Sequence, residues 1–277
     1  MTALGFSTCP NDTFIFDALV NRRLNHTLEI NVFLGDVDEL NKKALNNELD
    51  ITKLSFGIVP DVSENYQILD SGSALGFGCG PLLISLEQNL DLSTLNSDFC
   101  VAIPGEKTTA NLLLSMAYPQ ITNKKVMLFS EIEAAVLSGD VQAGLIIHEN
   151  RFTYKEKGLH KLIDLGEFWE KKTGLPIPLG CIAVKRSLST EVKKEIQAQI
   201  RESVMHAFSN PNDSKSYIAL HAQEMNPEVM QQHIDLYVND YSISLGEEGK
   251  KAIDRLFLEG RKAGILKEPF MPLFVED

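Results

Sequence analysis

Apolar positions follow two spacings along the first two thirds of the chain and only one along the last third. Short apolar or β-branched runs at residues 1–6, 28–34, 50–56, 66–70 and 81–86 have the length and composition of strands. Between the second and third runs, Val37, Leu40 and Ala44 recur at helical spacing behind Asp36. Glu39 stands three residues after Asp36, so the pair predicts a helix opened by a capping box. Strands that alternate with helices in this way predict parallel βαβ units and an α/β sheet.

The pattern restarts near Asn96. Residues 99–103 read as a strand and Pro104-Gly105-Glu106-Lys107 as a turn. Thr108-Thr109-Ala110 then opens a helix that carries Leu112, Leu113 and Met116. A strand is expected over 125–129, followed by a second capping box of Ser130 with Glu133 and a helix stopped at Gly139. Residues 143–147 form a wholly apolar strand that ends at His148-Glu149-Asn150, and 179–184 reads as a strand leading back out. From Ser189 the strand signal vanishes. Val192, Ile196, Ile200 and Val204 keep a stripe along one long helix, Asn226-Pro227 caps another, and the last ends near Gly264. This layout predicts two α/β lobes around a cleft. The larger takes residues 1–96 and 187–277 and includes a helical C-terminal tail, while the smaller takes 97–186. The chain is expected to cross between them near 88–96 and 180–188. The arrangement resembles the type II periplasmic-binding-protein fold, which hosts receptors, regulatory domains and enzymes alike.

Composition narrows the function. Of 277 residues, 44% are hydrophobic and 23% charged, which fits a globular chain. The net charge of −12 repels nucleic acid on average but leaves room for a local pocket for a small anion. No apolar run approaches the ~20 residues that span a bilayer, and a strand begins at Met1 without a signal-like leader. The four cysteines, at 9, 79, 100 and 181, show no metal-like spacing and are expected as reduced thiols in the cytoplasm.

Four segments offer polar groups at strand ends or helix starts. Ser7-Thr8-Cys9-Pro10-Asn11-Asp12-Thr13 follows the first strand, and its free N–H groups suit a carboxylate or hydroxyl; a capped helix explains it equally simply. Thr52-Lys53-Leu54-Ser55 ends a strand with a cation and a compact hydroxyl, or with a surface lysine beside a turn-capping serine. Residues 70–81 hold Ser71, Gly72, Ser73, Gly76, Gly78 and Gly80, which let backbone approach a ligand or make a tight turn. Pro81 takes the place of the last glycine of a dinucleotide fingerprint, so no such cofactor is expected. Thr108-Thr109-Ala110-Asn111 begins a helix whose N-terminus suits an anionic group.

His148 is the sharpest single residue, because it emerges at the carboxyl end of an apolar strand, where ligands of open α/β sheets bind. It could take a proton from carbon or oxygen, or be structural. The six histidines include no H-x-x-x-H pair, and neither a G-x-S-x-G elbow nor a phosphate-binding P-loop occurs. The sequence therefore predicts no metal and no organic cofactor, and a small molecule as the partner.

Taken together, these motifs have a known counterpart. Ser7 to Phe16 resembles the S-P-C-P-N-D-T-F-I-F opening of the 1,4-dihydroxy-6-naphthoate synthase family of menaquinone biosynthesis. The likeness continues through Thr52–Ser55, Ser71-Gly72, Gly80-Pro81-Leu82, Pro104-Gly105 with Thr108-Thr109-Ala110, and residues 143–149. It extends over 151–154, Thr173-Gly174-Leu175-Pro176, Tyr237-Val238-Asn239 and Gly246-Glu247-Glu248-Gly249, and so spans nearly the whole chain. Thr8 stands where the family often has proline, and Phe77 where it can have arginine. The resemblance implies a lyase that converts cyclic dehypoxanthine futalosine to 1,4-dihydroxy-6-naphthoate with release of a dihydroxyacetone fragment. It implies His148 as general base and a substrate site drawn from Lys53, Leu54, Ser55, Thr109 and Ala110, to which Thr108, Asn11 and Ser73 are added from their segments. A small-anion solute-binding protein of the same fold, or the ligand domain of a transcription regulator, are the rival classes. The first is disfavoured by the missing export signal and the second by the lack of room for a DNA-binding segment.

Overall fold

A computed structural model describes all residues except 26, 27, 93, 94, 97, 224, 225 and 277. Eleven strands among them form two sheets. The first holds β1 (Thr2–Phe6), β2 (Ile30–Leu34), β3 (Ile51–Ser55), β4 (Tyr66–Ile68) and β5 (Ala74–Gly76). The second holds β6 (Leu82–Ser85), β7 (Val101–Ile103), β8 (Lys124–Val126), β9 (Ala143–Ile146) and β10 (His160–Asp164). The last strand, β11 (Ile177–Lys185), returns to the first sheet, where the order is β2-β1-β3-β11-β4 with β5 also on β11. The second sheet runs β10-β6-β9-β7-β8.

The sheets divide the chain differently from the expected 97–186 small lobe. Residues 82–85 pair with β9 and β10 in the second sheet, and residues 177–185 lie antiparallel to β3, β4 and β5 in the first. The chain thus crosses at 77–81 and 174–176, not near 88–96 and 180–188. Both strands are almost wholly buried, and a run buried on both faces carries no mark of which sheet it joins. The first sheet is accordingly mixed, with β1 parallel to β2 and β3 but β11 antiparallel through its middle.

Helices fill the connections: α1 (Pro10–Val20), α2 (Val37–Leu45), α3 (Val59–Val62), α4 (Thr109–Ala117), α5 (Ile132–Leu137), α6 (Asn150–Thr153) and α7 (Leu165–Thr173). The C-terminal third adds α8 (Thr190–Ser209), α9 (Lys215–His221), α10 (Pro227–Tyr237), α11 (Asp240–Ile243) and α12 (Gly246–Lys262). None of the described helices is long and apolar enough to cross a membrane. Of the expected stripe of α8, Val192 is partly buried and Ile196, Ile200 and Val204 are buried, packing with Leu4, Phe6, Phe16 and Leu19 in one core. Phe6 and Phe16 stack there at 4.3 Å. Helix α1 is therefore covered on nearly every side, which ties the tail to the first sheet.

Two capping expectations resolve differently. Asp36 accepts from the backbone N–H groups of Asp38 and Glu39 and so opens α2. Ser130 instead falls inside a 3-10 turn, Phe129–Glu131, and α5 starts after it without a side-chain cap. Glu133 is buried, and its Oε2 accepts from Asn150 Nδ2 at 2.6 Å and Lys157 Nζ at 2.7 Å, which occupies it elsewhere. At the first crossing the backbone is tight: a Cβ on Gly80 would lie 2.2 Å from Gly166 N.

Candidate active site

A cleft with a cavity of about 90 Å³ opens between the sheets, and the end of β3, the turns after β1 and β9, and the start of α4 all line it. Its walls include Asn11, Lys53, Leu54, Ser55, Thr108, Thr109, Ala110 and His148, residues expected from sequence to meet there. Ser73 is the exception. It is buried beside the cleft while its neighbour Ala74 lines the wall, because successive residues of an extended chain face opposite ways.

Lys53 does not present a free cation. Its Nζ lies 2.8 Å from Asp12 Oδ1 and donates to the carbonyl of Gly72 at 3.1 Å. Asp12 is held from the other side by the N–H and hydroxyl of Ser7, at 3.2 and 2.7 Å on Oδ2, and by Asn11 Nδ2 at 3.0 Å on Oδ1. This buried ion pair fixes the turn after β1 to the end of β3, and each charge satisfies the other. Asp12 was read from sequence only as part of a helix start.

Ser55 and Thr109, from opposite sides of the cleft, meet each other. Ser55 Oγ accepts from Thr109 N–H at 2.6 Å, and the two hydroxyls lie 2.9 Å apart. Thr109 donates its single hydroxyl proton to the carbonyl of Leu179 at 2.8 Å and accepts from Gly57 N–H at 3.2 Å. Ser55 must therefore be the donor between the hydroxyls. Thr108 caps α4, its Oγ1 accepting from Asn111 N–H and donating to Gly105 O.

His148 follows β9 with φ +57°, in the left-handed region that non-glycine residues seldom adopt. Rings rather than hydrogen bonds hold its side chain. Phe129 meets it edge-on at 4.9 Å, and His233 of α10 stacks on it at 5.9 Å. Among the described residues neither ring nitrogen has a hydrogen-bond partner. Burial lowers its pKa to about 4, against the opposing pull of the Asp12 carboxylate. His233 is 0% exposed, and burial together with His148 holds it well below the ordinary histidine value. Its Nε2 lies 2.9 Å from Asn11 Oδ1, and since Asn11 spends its amine on Asp12, Nε2 is the donor. Nδ1 stands 3.6 Å from Glu149 Oε2. Nothing in the spacing of the sequence points to His233, which lies in another segment altogether.

One group among the described residues could hold a metal ion. Cys9 Sγ, a ring nitrogen of His148 and a carboxylate oxygen of Glu149 lie within 4.8 Å of one another. The three residues come from two turns far apart in the chain, so ligand spacing along the sequence carries no trace of the trio. Burial and the carboxylate of Glu149 push the Cys9 thiol well above its usual pKa.

Two sheets with an interlobe cleft define a periplasmic-binding-protein-like molecule. The ligand-binding component of an ABC-type import system from Staphylococcus aureus shares the fold, with TM-score 0.73 and 12% identity over 99% of this chain and 96% of that one. Protein AF1704 from Archaeoglobus fulgidus matches with TM-score 0.90 and 32% identity over 96% of this chain and 98% of its own. The chain belongs to the menaquinone biosynthesis family, whose profile matches residues 2–262. The 1,4-dihydroxy-6-naphthoate synthase of Thermus thermophilus is 43% identical over 272 residues, covering 98% of both chains. That of Streptomyces coelicolor is 43% identical over 268 residues, covering 95% of this chain and 94% of its own.

Proposed function

We propose that this protein is a carbon–carbon lyase that converts cyclic dehypoxanthine futalosine to 1,4-dihydroxy-6-naphthoate with release of dihydroxyacetone, in the cytoplasm. The observation that carries the reading is His148: a neutral imidazole facing the cleft from a strand's carboxyl end, in a chain 43% identical to two synthases of that name. Four unpaired thiols support the reducing compartment.

In this mechanism His148 removes the substrate proton whose loss starts carbon–carbon cleavage, and the electron pair of the broken bond passes into an adjacent carbonyl as an enolate. A pKa near 4 keeps the lone pair available throughout the neutral range. It also makes the imidazole a weak base, so stabilisation of the enolate oxygen has to carry much of the barrier. The first turn of α4, with the backbone N–H of Ala110 at the cleft wall, is assigned that part. The chemistry needs no metal or organic cofactor. Ser55, Thr109 and Leu54 are assigned to the substrate's walls, with Lys53 and Asn11 keeping the turn beneath it in place.

The test is direct. Incubating the pure protein with the cyclic futalosine derivative should yield naphthoate, read by its ultraviolet absorbance. Ligand binding without product would move the reading to a small-anion receptor of the same fold.

A further inference from the structure

We propose that Cys9, His148 and Glu149 form a binding site for a soft divalent cation, best suited to zinc, and that filling it shuts the cleft down. The second half rests on His148 being the base.

The three donors come from two turns that the fold sets side by side, Cys9 ahead of α1 and His148-Glu149 after β9. Zinc bonds of about 2.3 Å to sulfur and about 2.0–2.2 Å to nitrogen and oxygen put tetrahedral donors roughly 3.5 Å apart. A trio within 4.8 Å therefore needs to close by about an ångström. The mixture of thiolate, imidazole and carboxylate selects zinc or cobalt, whereas magnesium and calcium demand oxygen shells that these residues do not offer. His148 has no hydrogen bond to give up, so a ring nitrogen can ligate without breaking existing structure. Cys9 and Glu149 are buried while His148 lines the cleft, so a metal on the trio would sit beside the space the substrate needs.

The charges balance as well. When the sulfur–metal bond forms, the Cys9 S–H bond breaks and its proton passes to solvent, with no change of oxidation state. A thiolate and a carboxylate then offset the two positive charges, leaving the buried cluster neutral. The same event removes the base, because the lone pair of His148 that would take the substrate's proton is now held by the metal. No other cysteine belongs to such a group among the described residues: Cys79, Cys100 and Cys181 all stand outside it.

Cobalt is the probe. Added to the intact, chelator-treated protein under a phosphine reductant, one Co²⁺ per chain should give tetrahedral visible bands and a near-ultraviolet thiolate-to-cobalt charge-transfer band, both erased by Zn²⁺. Cys9→Ser should lose the charge-transfer band and bind zinc more weakly by at least the ~10–100-fold that even outer-shell changes cost. Glu149→Gln should weaken zinc similarly, while Cys100→Ser should leave both readouts as in the parent. Circular dichroism reports whether each variant is folded, and the parent's own spectrum tests the site if one is not. Zinc should inhibit turnover with the constant measured by cobalt displacement, and a chelator should restore it. A missing charge-transfer band in the parent, or one retained in Cys9→Ser, overturns the site. Full occupancy with undiminished turnover overturns the switch. Because the spectrum needs no substrate, failure of the lyase reading would leave the metal result standing.

Discussion

His148 and His233 lie face to face, their ring planes within 10° of parallel, although one follows a strand of the second sheet and the other belongs to the helical C-terminal third. Burial disfavours protonation of both imidazoles and His148 adds to this at His233, so the pair works as a neutral stack.

The pH dependence follows from that. A base with pKa about 4 is fully deprotonated at neutrality, so kcat/KM should stay level from pH 7 down to about 5 and fall only near 4. An ordinary histidine would lose activity near 6.5. Stability moves in the same sense: the unfolded histidines take up protons near 6.5 while the folded ones resist. Stability is therefore complete above about pH 6.5 and drains as pH falls toward 4. Thermal unfolding across that window should show the loss, and His148→Asn should show less of it.

Replacing His148 with Asn removes the base but keeps a residue that tolerates the left-handed backbone found there. A drop in kcat of ~10²–10⁴-fold with little change in KM is expected. Near-parental turnover in steady-state assays would make His148 structural.

Thr109 ties α4 to the first sheet through one hydroxyl with three partners. Thr109→Val should leave the buried N–H of Gly57 and the buried hydroxyl of Ser55 without their acceptor, at a cost of ~1–3 kcal/mol each if both stay dry. Chemical denaturation should reveal the loss, small-angle scattering should show an opened particle, and KM should rise. Thr109→Ser should behave like the parent, since it keeps the hydroxyl.

Gly80 faces Gly166 across the first crossing with room for no side chain. Gly80→Ala should destabilise the protein by at least the ~1–3 kcal/mol typical of overpacking, read as a lowered denaturation midpoint. Any accommodation has to shift backbone, because the nearest atoms belong to the main chain of Gly166.

Exhaustive chelation and desalting should leave the lyase at full rate, since proton removal and elimination call on side chains and backbone alone. A strict requirement for an added divalent ion would sink that mechanism.

Local signals were the legible ones. Asp36, Thr108, Asn226 and the stripe Ile196-Ile200-Val204 each announce their element through neighbours a few residues away, and each stands where the pattern put it. The approach of Ser55 to Thr109, the ion pair of Lys53 with Asp12 and the stack of His148 on His233 join segments far apart in the chain, so no periodicity records them. Ser73 stands off the cleft wall for a different reason: a polar residue just ahead of a three-residue strand, in a glycine-rich stretch, carries no mark of which way its side chain turns. Strand β10 was hidden because His160-Lys161 opens it with polar residues at the edge of its sheet.

The return of β11 to the middle of the first sheet sets an order of events during synthesis. The second sheet is one continuous stretch, complete once β10 has emerged, whereas β3 and β4 lack the strand that lies between them until Ile177–Lys185 appears. As the chain leaves the ribosome, the inner sheet can close while the outer one waits with open strand edges. Helix α1 waits longer still, because its cover comes from α8 and α10. The binding cleft, which needs both sheets, is thus among the last parts of the molecule to exist.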